Sequence, residues 1–268
     1  MKNIYLFLSA VLFLFLTANP LRAQWIQTQG PRYSIYGDDV YSLAISPAGG
    51  GTNIFAGTYG GGVFLSTNNG TSWTAVDSGL LDNMVVPALA VSDTNLFAGT
   101  WGGVFLSTNN GTSWVASGLT HTDVYAFAVS DTNLFAGTNG AGVFLSTDKG
   151  TRWTAVDSGL TQAYFRSLAL SATTLFAGTY FGGGVFRSTN NGTSWTPVNA
   201  GLTDPHIWSL AISGTNVFAG TSGGVFRSTN HGTSWIAVNS GLTNMYVLSL
   251  AVSGTNLFAG TDGGGVFL

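Results

Sequence analysis

Laying the copies of an internal repeat over one another brings the residues capable of chemistry into two variable columns. In the first, Asp39, Val85, Asp123, Tyr164, His206 and Tyr246 share one position, and two residues on come Tyr41, Pro87, Tyr125, Arg166, Trp208 and Leu248. The second holds Tyr59, Trp101, Asn139, Tyr180 with Phe181, Ser222 and Asp262. Rings interleaved with carboxylates, one guanidinium and one imidazole suit a sugar or a peptide: aromatic faces supply apolar area, and a few polar groups fix orientation. The expected ligand contacts are therefore Asp39, Tyr59, Trp101, Asp123, Tyr164, Arg166, Tyr180, His206, Trp208, Tyr246 and Asp262.

Catalysis finds less support in the same residues. Glycoside hydrolysis needs two facing carboxylates, one with a raised pKa, and Asp39, Asp123, Asp204 and Asp262 are the ones available. Glutamate is absent from the chain. His121-Thr122-Asp123 and Asp204-Pro205-His206 could meet a divalent cation, yet loop His and Asp are ordinarily solvated, so no metal site is assigned. Asp38, Asp39, Asp82 and Asp123 lack the ordered ligand spacing of a calcium loop. With no cysteine, disulfides, thiolate catalysis and zinc-thiolate sites are excluded. Glycine runs join strand to strand and offer no helix N-terminus to a phosphate. Neither a catalytic residue nor a cofactor is expected.

These loops need a scaffold, and the repeat supplies it. The Phe of a segment resembling Asn-Leu-Phe-Ala-Gly-Thr recurs at Phe55, Phe97, Phe135, Phe176, Phe218 and Phe258, a period near 40. Each unit has four short apolar runs bounded by Gly, Asn, Ser and Thr, here termed strands a to d. In the first unit they are Val40 to Ser46, Asn53 to Thr58, Gly62 to Ser66 and Trp73 to Val76. Four antiparallel strands at this period predict an all-β propeller of six blades, with strand a innermost. Small residues such as Ser42 and Ala44 alternate with Leu43 and Ile45 along that strand, which lets blades stack closely. The last unit stops after strand c, and Trp25 to Gly30 resembles strand d, so an N-terminal strand is expected to complete the sixth blade and cover two open edges; the alternative is a fragment of a longer propeller.

Between strands c and d lies a polar segment repeated five times, Phe64 to Trp73 in its first copy. Its fixed residues are Ser66, Asn68, Gly70 and Trp73; Ser107, Asn109, Gly111 and Trp114; Ser146, Asp148, Gly150 and Trp153; Ser188, Asn190, Gly192 and Trp195; and Ser228, Asn230, Gly232 and Trp235. The pattern resembles the Asp-box, or bacterial neuraminidase repeat, of sialidase-superfamily propellers, as in Ser146-Thr147-Asp148-Lys149-Gly150-Thr151-Arg152-Trp153. That resemblance implies a structural turn on the face opposite the functional one. The residue types agree: Asn or Asp accepts from turn amides, Gly takes a positive φ, and Trp packs between strands. A sialidase would also need an arginine triad and a glutamate-activated tyrosine, which this chain lacks. The expected function is a non-catalytic binding or scaffold module, and the alternative is a glycoside hydrolase of sialidase or xyloglucanase type.

Composition sets the surroundings. Met1 to Ala23 reads as a secretory signal, with Lys2 before an apolar run from Ile4 to Leu16 that is short of the roughly 20 residues needed to span a bilayer. The expected domains are thus residues 1–23 as signal and 24–268 as one propeller, with no membrane span after cleavage. From Gln24 onward six basic residues face all eleven aspartates, a net charge of −5, scattered without a basic stripe. Nucleic acid is excluded as a partner. A secreted, periplasmic or cell-surface monomer with a glycan, protein or peptide ligand is expected.

Overall fold

The computed structural model describes residues 30–31, 39–46, 53–81, 84–130, 133–162 and 164–268. They form six antiparallel sheets, five of four strands running a-b-c-d in chain order and a last one of three running a-b-c. The six innermost strands are Val40–Ser46, Ala88–Ser92, Val124–Ser130, Phe165–Ser171, Ile207–Ser213 and Val247–Ser253, and together they line one channel. The chain is a six-bladed β-propeller, as its repeat predicts. The expected N-terminal strand, Trp25 to Gly30, lies outside the described residues except for Gly30.

Alternation decides what each inner strand presents to its neighbours. In the first, Val40, Ser42, Ala44 and Ser46 are buried while Tyr41, Leu43 and Ile45 are half-buried. The small serines then join blades: Ser42 Oγ donates to the Val86 carbonyl (3.1 Å), and Ser167 Oγ and Ser209 Oγ accept from the amides of Leu210 (2.8 Å) and Leu250 (3.0 Å). Phe55, Phe97, Phe135 and Phe176 are wholly buried between sheets. The Thr that ends each strand b, buried in the first five blades, holds the following loop, as when Thr138 Oγ1 donates to the Gly142 carbonyl at 2.7 Å.

The ten-residue repeats are hydrogen-bonded turns, and the second to fifth tie their blade to the one before. Ser66 Oγ donates to Asn68 Oδ1 (3.0 Å) and accepts from the Gly70 amide (2.8 Å), while Asn68 Oδ1 accepts from the Ser72 amide (2.9 Å). The left-handed region is occupied twice in succession, at Gly70 (φ 83°) and also at Asn69 (φ 56°), so the variable position carries the strain as well as the glycine. Lys149 and His231 sit at that same position. Trp114, Trp195 and Trp235 donate their indole N–H, each at 2.7 Å, to Val76, Val156 and Val198 of the preceding blade. Trp153 reaches Ser117 in the same way.

Strand d is shorter than the sequence suggests. It is two residues, such as Thr74–Ala75, in four blades, but Val115–Thr120 in the second. There the link to the next blade is two residues shorter and continues as strand, pairing Thr120 with Gly103.

Candidate binding site at the channel mouth

A repeated irregularity builds the mouth. Where strand a pairs with strand b, Val40 opposes Thr58 and Ser42 opposes Gly57, so Tyr41 is an extra residue. The same register shift falls at Tyr125, Arg166, Trp208 and Leu248. A bulge re-aims its side chain out of the alternating pattern. All five of these side chains, with Pro87 from the second blade, line the channel. Backbone bonds then bring the second column alongside: the amides of Tyr59, Asn139, Tyr180 and Asp262 donate to the carbonyls of Asp39, Asp123, Tyr164 and Tyr246 at 2.9 to 3.1 Å.

The register also settles the two faces. The start of strand a lies against the end of strand b, whereas Ser66, where the first ten-residue turn departs, pairs with Ile54 at the start of strand b. Mouth and turns are therefore at opposite ends of each sheet.

The aromatic residues meet in a chain of contacts. Tyr41 packs on Tyr59 (5.7 Å between centroids) and Tyr59 on Trp101 edge-to-face (5.8 Å). Trp101 also lies near enough to Tyr125 to lower its pKa. On the other side Tyr164 meets Phe181 (4.8 Å), Phe181 meets Tyr180 (4.6 Å), Tyr180 meets Trp208 (4.7 Å) and Trp208 meets Tyr246 (5.3 Å). The Trp208 indole donates to Ser222 Oγ (3.0 Å), and Ser222 also acts on Tyr246. Arg166 stands among them, its guanidinium carbon 4.7 Å from the Tyr125 ring and 5.2 Å from those of Tyr180 and Trp208. Trp101 and Phe181 remain about half exposed at the rim.

Burial raises the pKa of Tyr41, with Asp39 adding to it. It also raises that of Tyr125, against the lowering pull of Arg166 and with a push from Asp123. Tyr246 is raised by burial too, in part offset by its bond to Ser222. All three hydroxyls stay neutral through physiological pH. The channel beneath holds about 140 Å³, less than the roughly 300 Å³ at the low end for a small-molecule pocket.

Of the contacts expected from sequence, Tyr59, Trp101, Tyr164, Arg166, Tyr180, Trp208 and Tyr246 belong to this array, with Asp39, Asp123 and Asp262 beside its tyrosines. His206 flanks the fourth blade's loop at Gly182 and engages its own neighbour: its Nδ1 lies 2.9 Å from Asp204 Oδ1, which also accepts the His206 amide. His121 Nδ1 lies 3.1 Å from Thr120 Oγ1. Among the described residues no three His, Asp or Glu side chains converge as metal ligands. Arg187 and Arg227 lie on strands c beside the ten-residue turns, Arg187 donating to the His231 carbonyl (3.1 Å). Tyr41, Tyr125 and Phe181 join the array without having been expected as contacts. The first two share a column with Arg166 and Trp208, and Phe181 occupies a loop one residue longer than that of the first blade.

Six blades around an aromatic-rimmed channel define a β-propeller whose variable residues gather on one face. The chain belongs to the DUF6242 beta propeller domain family, which matches residues 23–179, more than half of its length. No curated protein is detectably similar in sequence. Solved structures share the fold. An ancestral GH74 enzyme is 22% identical, with a TM-score of 0.69 over 83% of this chain and 35% of that one. The extracellular domain of BT4673 from B. thetaiotaomicron is 17% identical, with a TM-score of 0.69 over 89% of this chain and 34% of that one. YCF48 bound to D1 peptide is 16% identical, with a TM-score of 0.63 over 80% and 73%. The chain thus spans about a third of the length of the first two. At these identities the likeness is one of fold, shared by enzymes and non-enzymes alike.

Proposed function

We propose that this chain is a secreted, non-catalytic binding module that takes a glycan or peptide ligand across the channel mouth, on the face opposite its ten-residue turns. One observation carries the reading: five bulges of the inner strands turn Tyr41, Tyr125, Arg166, Trp208 and Leu248 out of the ladder and into the channel. Their loop neighbours extend this into a rim of touching rings. Rings locked by mutual contact present apolar area at little further entropic cost. The turns are read as Asp-boxes that serve as joints, because their side chains spend their hydrogen bonds on their own backbone and their tryptophans on the neighbouring blade. Secretion is supported by the leader-like Met1 to Ala23 and by the extracellular setting of the similar propellers of B. thetaiotaomicron. Among the described residues no helix is long and apolar enough to cross a membrane.

The test is a glycan and peptide array probed with the folded chain, then with Trp101→Ala and Trp208→Ala. Retention of a defined ligand class by the wild type, lost at least about tenfold in either variant, supports the reading; loss of one hot-spot ring costs about 2 kcal/mol or more. Undiminished binding by both variants, or turnover of the retained glycan, contradicts it.

A further inference from the structure

Among the described residues the guanidinium of Arg166 is held by rings alone. It lies within about 5 Å of three aromatic faces, a geometry that attracts the cation to ring quadrupoles and does not engage its N–H donors, which lie in the plane of the guanidinium. Among the described residues no carboxylate lies within ion-pair distance of it; the three pairs formed involve Lys149, Arg152 and His206. A chain with an excess of aspartates thus keeps one guanidinium at its mouth outside any ion pair among the described residues. Arg166 is half-buried, and its donors are not sealed from solvent.

Around it the polarity reverses. Asp39, Asp123 and Asp262 border the mouth on the first, third and sixth blades, where their backbones make the bonds that join the two variable columns, and each raises the pKa of a mouth tyrosine. Ionised carboxylates accept hydrogen bonds and donate none. A ligand matching this arrangement carries a single anionic group at its centre, apolar ring faces beside it, and several O–H donors outward. A polyanion would meet the aspartates, and a neutral glycan would leave the guanidinium without an acceptor. A peptide presents as many backbone acceptors as donors, which acceptor-only side chains match less well.

We infer that Arg166 is a carboxylate-binding subsite, and that the mouth takes a glycan ending in a uronic acid, its carboxylate on the guanidinium and its hydroxyls on the aspartates. The inference rests on the mouth being the binding face. Rings fix the guanidinium in place before binding, so a two-pronged Arg-carboxylate contact forms with little further ordering.

Titration calorimetry at low salt, with the folded full chain, tests it. The probes are a glucuronate-terminated oligosaccharide, its methyl ester, the glucose-terminated counterpart, and a hexapeptide with a free or amidated C-terminus. The acid is expected to bind about tenfold to a hundredfold tighter than ester or neutral glycan, as for a hydrogen bond to a charged group. Arg166→Gln should remove that advantage, and Arg166→Lys, which keeps the charge without the planar fork, should restore only part of it. Near-ultraviolet circular dichroism checks that both variants keep the packed rings. Equal binding of acid and ester, or an advantage that survives Arg166→Gln in a folded variant, overturns the inference. If neutral glycans bind and Trp208→Ala abolishes this, the mouth reading stands while the inference fails. Retention of only the free-carboxylate peptide overturns the glycan assignment. Binding in no arm removes both.

Discussion

Asp148 does with a carboxylate what Asn68, Asn109, Asn190 and Asn230 do with an amide. Its Oδ1 accepts from the Ser146 hydroxyl (2.9 Å) and the Arg152 amide (2.8 Å), and Asn190 makes the same two contacts with Ser188 and Ser194. The charge is therefore dispensable to the turn. The Arg152 amide lowers the pKa of Asp148 below the usual carboxylate value. A lowered pKa gives a contribution present above the unfolded-state pKa and lost as pH falls through the folded-state value. Asp148→Asn should leave the thermal midpoint at pH 7 within about 1 °C and flatten its decline below about pH 4; midpoints measured from pH 7 to 2.5 decide this. A drop of several degrees at pH 7 would show that the charge itself holds the turn.

Between blades, the clearest joint is an indole. Trp195 is buried, donates to the Val156 carbonyl, and has its own amide bonded to the Ser158 carbonyl (2.9 Å). Gly159 lies so close that a methyl group there would collide with the Trp195 carbonyl, and its φ of 89° disfavours any other residue. Trp195→Phe keeps the ring and leaves a carbonyl without its donor, so a loss of about 1 to 2 kcal/mol is expected in urea unfolding with unchanged m-value. These joints are readable from sequence because each is built within a fixed, repeated string. The bulges are not. Whether Tyr41 continues the alternation or leaves it depends on the offset between two strands, and no residue type marks that offset. Tyr41 and Tyr125 read equally well as core, and only their shared column with Arg166 and Trp208 points to the channel. The short strand d escaped for a similar reason: Trp73 and Val76 look like strand, yet Trp73 belongs to the turn, where its indole donates to the Gly70 carbonyl (3.1 Å).

For the whole molecule, the sixth blade differs from the other five. Its outer described strand, Gly265–Phe267, pairs on one side only, and Val266 is 41% exposed where its counterparts Val63, Val104, Val143 and Val185 are fully buried. A strand from Trp25 to Gly30 would match the d strand in kind, covering that edge. Removing residues 24–30 is expected to lower the thermal midpoint by more than about 5 °C, or to cause association visible by size-exclusion chromatography; an unchanged, monomeric midpoint would refute the closure. The six-fold repetition made blade number and the joint face legible from sequence, while the opposite face was legible only as the place where copies disagree. Fluorine NMR of the chain labelled with 5-fluorotryptophan tests the assignment of that face most directly. Trp101 and Trp208 lie at the mouth, and Trp73, Trp114, Trp153, Trp195 and Trp235 in the turns. Titration with the ligand retained on the array should shift the Trp101 and Trp208 resonances and leave those five in place; shifts confined to the turn tryptophans would contradict the account.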